Sequence, residues 1–310
     1  VTAATAELIE DGGAAASDDE FFRSRPFLEA EGATHTLLIE SEEARLLAPL
    51  IVRDIPGSSE RDAISPYGYP GFVAPEGVKL DPSSIDFTGT GLVSVFIRHG
   101  LGPSPLAGAT ERNLVQIADP ALPPKSRASD RRQVRRNLEA GYRLDLLPGP
   151  ETTPQQRAAF LAAYEQTMRR TDAAAHYFFA ASYFDRVLEA DRTWLALATA
   201  PSGEVAAASI AAVSDGYLHY YLSGSLDSHL RDAPMKNVVT LLVEHSRELG
   251  LPLNLGGGIA PGDALEEFKR GFANRQQAWL TSEVICDEEK YAALSAGRER
   301  GGSFFPAYRA

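Results

Sequence analysis

The sequence predicts an α/β protein built as two tandem domains, each a mixed sheet flanked by helices. Three observations predict it. The chain has 310 residues, which suits two domains at roughly 150 residues each. In its second half, helical periodicities alternate with short apolar runs bounded by turn residues. Between the halves stands Pro148-Gly149-Pro150, a natural boundary. The expected division is therefore 1–150, with 1–17 flexible, then 151–290, then a tail at 291–310 that packs back on the body.

In the first half, a helix is expected at Asp18–Leu28, then strands near Thr36–Ile39 and Leu46–Arg53. A loop rich in Pro and Gly leads to strands at Leu92–Arg98 and Leu114–Ala118. A basic helix at about Ala128–Glu139 and a strand at Tyr142–Leu146 follow. The second half is clearer. Phe160, Tyr164 and Met168 fall at i, i+4 and i+8 and predict an amphipathic helix over Gln155–Arg170, with Thr153 as its cap and Pro154 at its start. A shorter helix over Ala180–Ala190 precedes three strands, Trp194–Thr199, Glu204–Val213 and Tyr217–Ser223, turned at Pro201–Gly203 and Asp215-Gly216. A helix over Pro234–Leu249 is closed by Gly250 and Pro252. A short strand at Pro252–Leu255, the triglycine Gly256-Gly257-Gly258, a helix from Asp263 to Phe272 and a strand at Ala278–Ile285 complete the series. This order, ααβββαβαβ, resembles that of a GNAT-type acyltransferase domain. The first half reads as a degenerate copy of the same plan, so the expected fold is two tandem GNAT-like domains.

Composition narrows the chemistry. A net charge of −12 repels polyanions at long range and disfavours sequence-independent binding to DNA. The six histidines and one cysteine show no metal-ligand spacing, so no metal is expected. There is no G-x-S-x-G elbow and no G-x-G-x-x-G after a strand. Cys286 stands alone, which excludes an intramolecular disulfide and fits a reducing compartment. No apolar run approaches the roughly 18 residues of a membrane helix. The acidic N-terminal stretch lacks the basic-then-apolar order of a secretory signal. A cytoplasmic location without membrane insertion is expected.

Five segments carry candidate function. Lys125 to Arg143 holds seven basic residues against two acidic, with Arg131, Arg132, Arg135 and Arg136 at its centre. The plain reading is a solvated helix face; the functional one is a phosphate-contacting patch. Ser65 to Gly71, SPYGYPG, presents Tyr67 and Tyr69 on a turn, as a packed surface loop or a ligand-facing one. Arg170 ends a helix shortly before His176-Tyr177-Phe178-Phe179, where Arg170 and Tyr177 either line a cleft or simply pack. Tyr220-Tyr221-Leu222-Ser223 ends a mid-sheet strand whose alternation allows one tyrosine of the pair to face a cleft. Gly256, Gly257 and Gly258 expose backbone N–H groups between a strand and a helix, which suits an anionic or carbonyl oxygen, or only a flexible turn. In the following helix Leu265, Phe268 and Phe272 predict a buried stripe. Lys269 beside it reads most plainly as an exposed lysine paired with Glu266.

Together the Thr167-Met168-x-Arg170 helix, the YYLSGS strand and the LGGG…FKxxF segment resemble the Fem-type aminoacyltransferases and their actinobacterial relatives. The resemblance runs from about Ile64 to Phe272. It implies tandem GNAT-like folds that move an amino acid from aminoacyl-tRNA to an amine on a peptide, in cell-wall or peptide natural-product biosynthesis. It places the adjacent Phe268-Lys269 pair at the active site. Lys269 would stabilise the oxyanion or assist the leaving ribose hydroxyl, and Phe268 would shape the pocket. Thr171 to His176 lacks the Arg of the cell-wall members, so a smaller peptide or amine is the expected acceptor. No cofactor is implied beyond aminoacyl-tRNA as co-substrate. The alternatives are an acyltransferase using acetyl-CoA and a non-catalytic binding module. A CoA-binding Q/R-x-x-G-x-G/A loop is missing after Ser223, where the chain reads GSLDSHLR.

Overall fold

The computed structural model describes residues 4–297 and 304–310. In chain order its elements begin with β1 (Ala4–Ile9), α1 (Arg25–Glu31), β2 (His35–Glu40), β3 (Arg45–Asp54), β4 (Arg61–Ile64), β5 (Ile85–Asp86), β6 (Leu92–Arg98) and β7 (Thr110–Ala118). They continue with α2 (Ala128–Glu139), β8 (Arg143–Pro148), α3 (Pro154–Arg170), α4 (Ala181–Val187), β9 (Thr193–Thr199), β10 (Val205–Ser214) and β11 (Tyr217–Ser225). The last are α5 (Met235–Leu249), β12 (Leu253–Gly256), α6 (Ala264–Arg270), β13 (Arg275–Ile285) and α7 (Glu288–Leu294). They form two compact units, one from Val1–Ser17, Leu28–Arg112 and Ala278–Ala310, the other from Asp18–Phe27 and Asn113–Gln277.

In the first unit the strands run β5-β1-β2-β3-β4-β6-β13, with β1 parallel to β5, β4 parallel to β6 and the rest antiparallel. Leu37, Ile39, Leu46, Leu50, Val95 and Ile97 fill its core. Residues 4–9, expected within a flexible lead-in, form a paired strand instead, with Ala4 and Ala6 facing that core. Ala and Thr carry little β signal by themselves; the neighbouring strand supplies it. The expected helix at Asp18–Leu28 is divided. Phe21–Arg23 forms a 3-10 turn, Ser24 is extended, and α1 starts at Arg25. The strands β1, β4 and β5 and the helix α7 were not predicted; two of these strands have four residues or fewer. At the C-terminus, Ala307 and Tyr308 pack with Ile55, Val93 and Tyr291. Of the predicted tail, residues 298–303 lie outside the described residues.

The second unit orders its strands β7-β12-β11-β10-β9-β8, with β11 and β12 parallel and the rest antiparallel. Pro148-Gly149-Pro150, expected as a boundary, lies within it. β8 pairs with β9 as far as Pro148 against Trp194, and a Cβ at Gly149 would collide with Leu188 and Thr193. The alanine-rich β10 is almost wholly buried, since small residues let helices approach both its faces. Val238, Val239 and Leu242 of α5 pack onto Ala196, Ala207, Ala211, Leu218 and Leu253. The α3 start is a full capping box: Thr153 Oγ1 accepts from Gln156 N–H, and the Gln156 side chain accepts from Thr153 N–H. Gly250 closes α5 at φ 68°.

The deepest charge in the first unit is Asp62 on β4, with no exposed surface. Arg53 donates to it at 3.0 Å, Arg309 Nη2 at 3.0 Å and the Tyr308 hydroxyl at 3.2 Å. Asp62→Ala leaves two guanidinium groups half-paired, so it is expected to lower the unfolding free energy by about 3 kcal/mol or more. Urea titration of the variant beside the parent measures this; an unchanged midpoint would remove the network from the fold's support.

Candidate active site

β11 and β12 pair only at Leu218 with Leu253 and at His219 with Asn254. Beyond those two pairs the parallel strands part, β11 running on to Ser225 and β12 to Gly256. A bulge on β11 coincides with the parting: Ala211 faces Tyr220 while Ile210 faces Leu222, leaving Tyr221 as the extra residue. Further along, a Cβ at Gly224 would collide with the Ala163 carbonyl, so α3 lies hard against this end of β11. The bulge resets side-chain alternation. Tyr220 and Ser223, three residues apart, meet with their hydroxyls at 2.5 Å. Burial pushes the Tyr220 phenol up to about 12, with Ser223 pulling the other way. Tyr221 packs among Phe21, Phe22 and Phe27, and its hydroxyl lies 2.6 Å from that of Tyr183. The two tyrosines therefore have different partners, and it is the bulge that separates them, where the sequence reading relied on regular alternation.

β12 runs into the triglycine. Gly256 has φ 75°, Gly257 has no room for a Cβ against the Asn113 amide, and a Cβ at Gly258 would sit 2.5 Å from Asp263 Oδ1. Asp263 caps α6, accepting from Glu266 N–H at 2.7 Å, and also from Ile259 N–H at 2.6 Å and Ala260 N–H at 3.0 Å. These donors hold its carboxyl below the usual range. Asn113 Nδ2 donates to the Gly258 carbonyl at 3.1 Å. The loop is fixed by side chains on both sides, and is no flexible turn.

Lys269 departs from its plain reading. It is 8% exposed, and its Nζ donates to the Gly257 carbonyl at 2.7 Å. Glu266 instead takes Arg270 and the Gly262 N–H. Burial pulls the Lys269 ammonium down to about 8, and the Asp263 carboxylate offsets part of that fall. The predicted apolar stripe is also rearranged. Leu265 is exposed, Phe268 is half-buried against Phe272, and α6 ends at Arg270, before Phe272. A helix of two turns turns Glu266 and Lys269 inward in place of Leu265.

The remaining predicted residues take several places. Arg170 is engaged with Asp227, Thr167 and the Ser225 carbonyl, so it braces the turn after β11. Tyr177 closes a 3-10 turn whose backbone carbonyl accepts from the Tyr164 hydroxyl at 2.7 Å. Tyr67 and Tyr69 belong to the first unit: Tyr67 N–H donates to Glu31 at 2.8 Å, and the Tyr69 ring meets Trp279 edge-on at 5.6 Å. Arg131, Arg132, Arg135 and Arg136 are exposed on α2. The inner side of α2 is polar, with Asn137 donating to Asn237 and to the Asp232 carbonyl, and Asp130 paired with Lys236 at 2.8 Å. Arg127, at the head of α2, donates to the Glu267 carbonyl of α6 at 3.0 Å. Sequence reasoning missed Asn113 and Asp263. Asp263 had a signal, an Asp three residues before Glu266 at a helix start. Asn113 had none, because only strand pairing brings β7 beside β12.

Among the described residues, no three His, Cys, Asp or Glu side chains come together to hold a metal ion. No helix among them is long and apolar enough to cross a membrane. The buried ammonium leaves a stability signature. Folded Lys269 loses its proton near 8, whereas unfolded it keeps it to about 10.5. Below 8 both states are charged and the fold bears the whole burial cost. Between those values the unfolded chain binds more protons, so stability rises with pH. Lys269→Met is therefore expected to stabilise the protein at pH 7, on the order of 3 kcal/mol, with the gain shrinking towards pH 10. Denaturant titrations of both proteins at the two pH values test this; an equal difference at both would show an ordinary lysine.

Residues 124–270 match the acetyltransferase (GNAT) domain family. No curated protein matches the chain in sequence. Among solved structures, the chain is similar to FemX, with a TM-score of 0.61 at 10% identity, over 87% of this chain and 93% of that one. It is similar to the C-terminal domain (DUF2156) of a protein described as a lysylphosphatidylglycerol synthetase from Agrobacterium fabrum, with a TM-score of 0.54 at 13% identity over 86% and 87%. The L-PGS structure from Bacillus licheniformis gives 0.52 at 12% identity over 84% and 90%. At such identities the likeness is one of fold. Residues 124–270 thus match a GNAT-superfamily acetyltransferase domain, and the chain as a whole shares the fold of FemX.

Proposed function

We propose that the protein is an aminoacyltransferase that moves an amino acid from aminoacyl-tRNA to an amine of a small peptide or peptide-like acceptor. One observation carries this reading: a nearly buried lysine hydrogen-bonded into a fixed triglycine loop where two parallel strands part. A cation held out of water stabilises negative charge far better than a solvated one. The acceptor amine attacks the ester carbonyl, an oxyanion forms on that carbonyl oxygen, the ribose oxygen leaves, and an amide results. The proton lost by the amine passes to the leaving ribose oxygen by way of the substrate itself. Phe268, half-buried beside Lys269, shapes the apolar side of the pocket. Tyr220 and Ser223 at the parting of the strands supply polar contacts to the acyl group or acceptor.

The donor is favoured by the turn after β11. That turn is a 3-10 segment, Asp227–Asp232, where Asp227 N–H is taken by Gln166 and Asp232 accepts from the Tyr142 hydroxyl at 2.7 Å. Two carboxylates and a used N–H make a poor cradle for a CoA pyrophosphate. The exposed arginines of α2 offer phosphate contacts on an otherwise acidic protein. Such a donor belongs in the cytoplasm.

Purified protein incubated with charged tRNA or acetyl-CoA and a panel of amines is expected to form amide only with charged tRNA, followed by mass. Transfer from acetyl-CoA alone would sink the reading in favour of the acyl-CoA alternative. Lys269→Ala should lower kcat by about a hundredfold or more with the fold retained. Reversing the charge of Arg131, Arg132, Arg135 and Arg136 should raise KM for tRNA and flatten its dependence on salt, because fewer counterions are released. An unchanged KM would return α2 to a solvated face.

A further inference from the structure

From 256 to 262 the loop's backbone N–H groups are paired at every position but two, proline apart. Gly256 N–H donates to Asn254 Oδ1, Ile259 and Ala260 N–H to Asp263, and Gly262 N–H to Glu266. Of the carbonyls, that of Gly257 accepts from Lys269 and that of Gly258 from Asn113. The N–H groups of Gly257 and Gly258 have no acceptor among the described residues. Both glycines are half-exposed. Such pairing elsewhere makes two open donors in a rigid loop conspicuous, since backbone N–H groups are otherwise satisfied.

The Gly257–Gly258 peptide is trans and planar, so its C=O and N–H point in opposite directions. Lys269 binds the C=O side. The Gly258 N–H therefore points away from Lys269, and the ammonium has the loop between itself and anything that this N–H meets. A cation hydrogen-bonded to an amide oxygen draws electron density from the nitrogen and strengthens its N–H as a donor.

We infer that the Gly258 backbone N–H receives the oxyanion of the acyl transfer, and that Lys269 acts through the Gly257–Gly258 peptide as a positioning and polarising residue. This rests on the acyl-transfer reading above and is independent of which acyl donor is used. It gives each loop feature a reason. Asn113 and Asp263 leave no space for a Cβ at 257 or 258, and they fix the chain just beyond the peptide, Asn113 at the Gly258 carbonyl and Asp263 at the N–H groups of Ile259 and Ala260. Lys269 needs no exposure, because its charge is felt along the peptide.

The test follows the Gly258 amide by NMR. Labelling with glycine carrying 13C at the carbonyl and 15N at the amide selects Gly-Gly peptides, of which the sequence has four, ending at Gly13, Gly257, Gly258 and Gly302. With no ligand, the Gly258 N–H shift should follow a transition near 8 that is missing in Lys269→Met and displaced upward in Lys269→Arg. Two probes are then added separately: an aminomethylphosphonate monoester of adenosine, which mimics the tetrahedral intermediate of an aminoacyl ester, and S-acetonyl-CoA, a ketone analogue of acetyl-CoA. The phosphonate should move the Gly258 N–H downfield and slow its exchange with solvent, and should bind about tenfold or more weakly to Lys269→Met. The same response to the CoA analogue alone would overturn the tRNA reading and keep the Gly258 assignment. If neither probe perturbs the Gly258 N–H, or if Lys269→Met leaves both its shift and its affinity for the responding probe unchanged, the inference fails.

Discussion

The site depends on the parting of β11 and β12 after two residue pairs. Parallel strands normally continue side by side, and here two features coincide with the parting. The bulge at Tyr221 twists β11, and Gly224 brings it hard against the backbone of α3. Beyond the last pair, the backbone groups facing the parting must find other partners or remain open. β12 then has only three residues, Leu253 to Leu255, before the triglycine takes over. Both strands are parallel, so their C-terminal ends open on the same side, and the loop after β12 lies where β11 has turned away.

Around that opening the protein spends stability to hold one charge out of water. Lys269 is nearly buried, with one hydrogen bond among the described residues, from Nζ to a backbone carbonyl, and the Asp263 carboxylate acting at a distance. A buried ammonium with no directly bonded carboxylate is costly, and such cost concentrates where the charge is used. Its surroundings are correspondingly over-determined. Asp263 makes three backbone contacts, Asn113 one, and Arg127 ties the head of α2 to α6. The basic helix and the lysine helix thus share a fixed joint within one unit.

The buried polar seam of α2 serves the same end. Asn137, Asn237, Gln133 and the Asp232 carbonyl form a paired set between α2 and the start of α5, where apolar side chains would pack with less directional preference. Hydrogen-bonded seams specify orientation at the expense of raw stability. With its inner side satisfied, α2 turns Arg131, Arg132, Arg135 and Arg136 to solvent, where a phosphate contact has its charges at no desolvation cost from the fold.

By itself the sequence determined the elements whose signal is local. Capping chemistry marked α3, the Gly250 stop marked α5, and the alternation of turns and apolar runs marked β9 to β11. These rest on hydrogen bonds and periodicities within a dozen residues. β1, β4 and β5 escaped because strands of alanine, threonine or two to four residues become strands only when a neighbour pairs with them. The boundary at Pro148 misled for a related reason: Pro and Gly report a change of direction, and the packing of Gly149 against Thr193 decides on which side the turn belongs. The candidate site divides the same way. The three glycines could be read from order and spacing along the chain, whereas Lys269 entered as a candidate through the resemblance to the Fem-type family. That Lys269 is buried, that its partner is a glycine carbonyl 12 positions away and not Glu266, and that Asn113 completes the loop from a strand 145 positions away were decided by tertiary structure, because burial and strand pairing lie outside what a local pattern encodes.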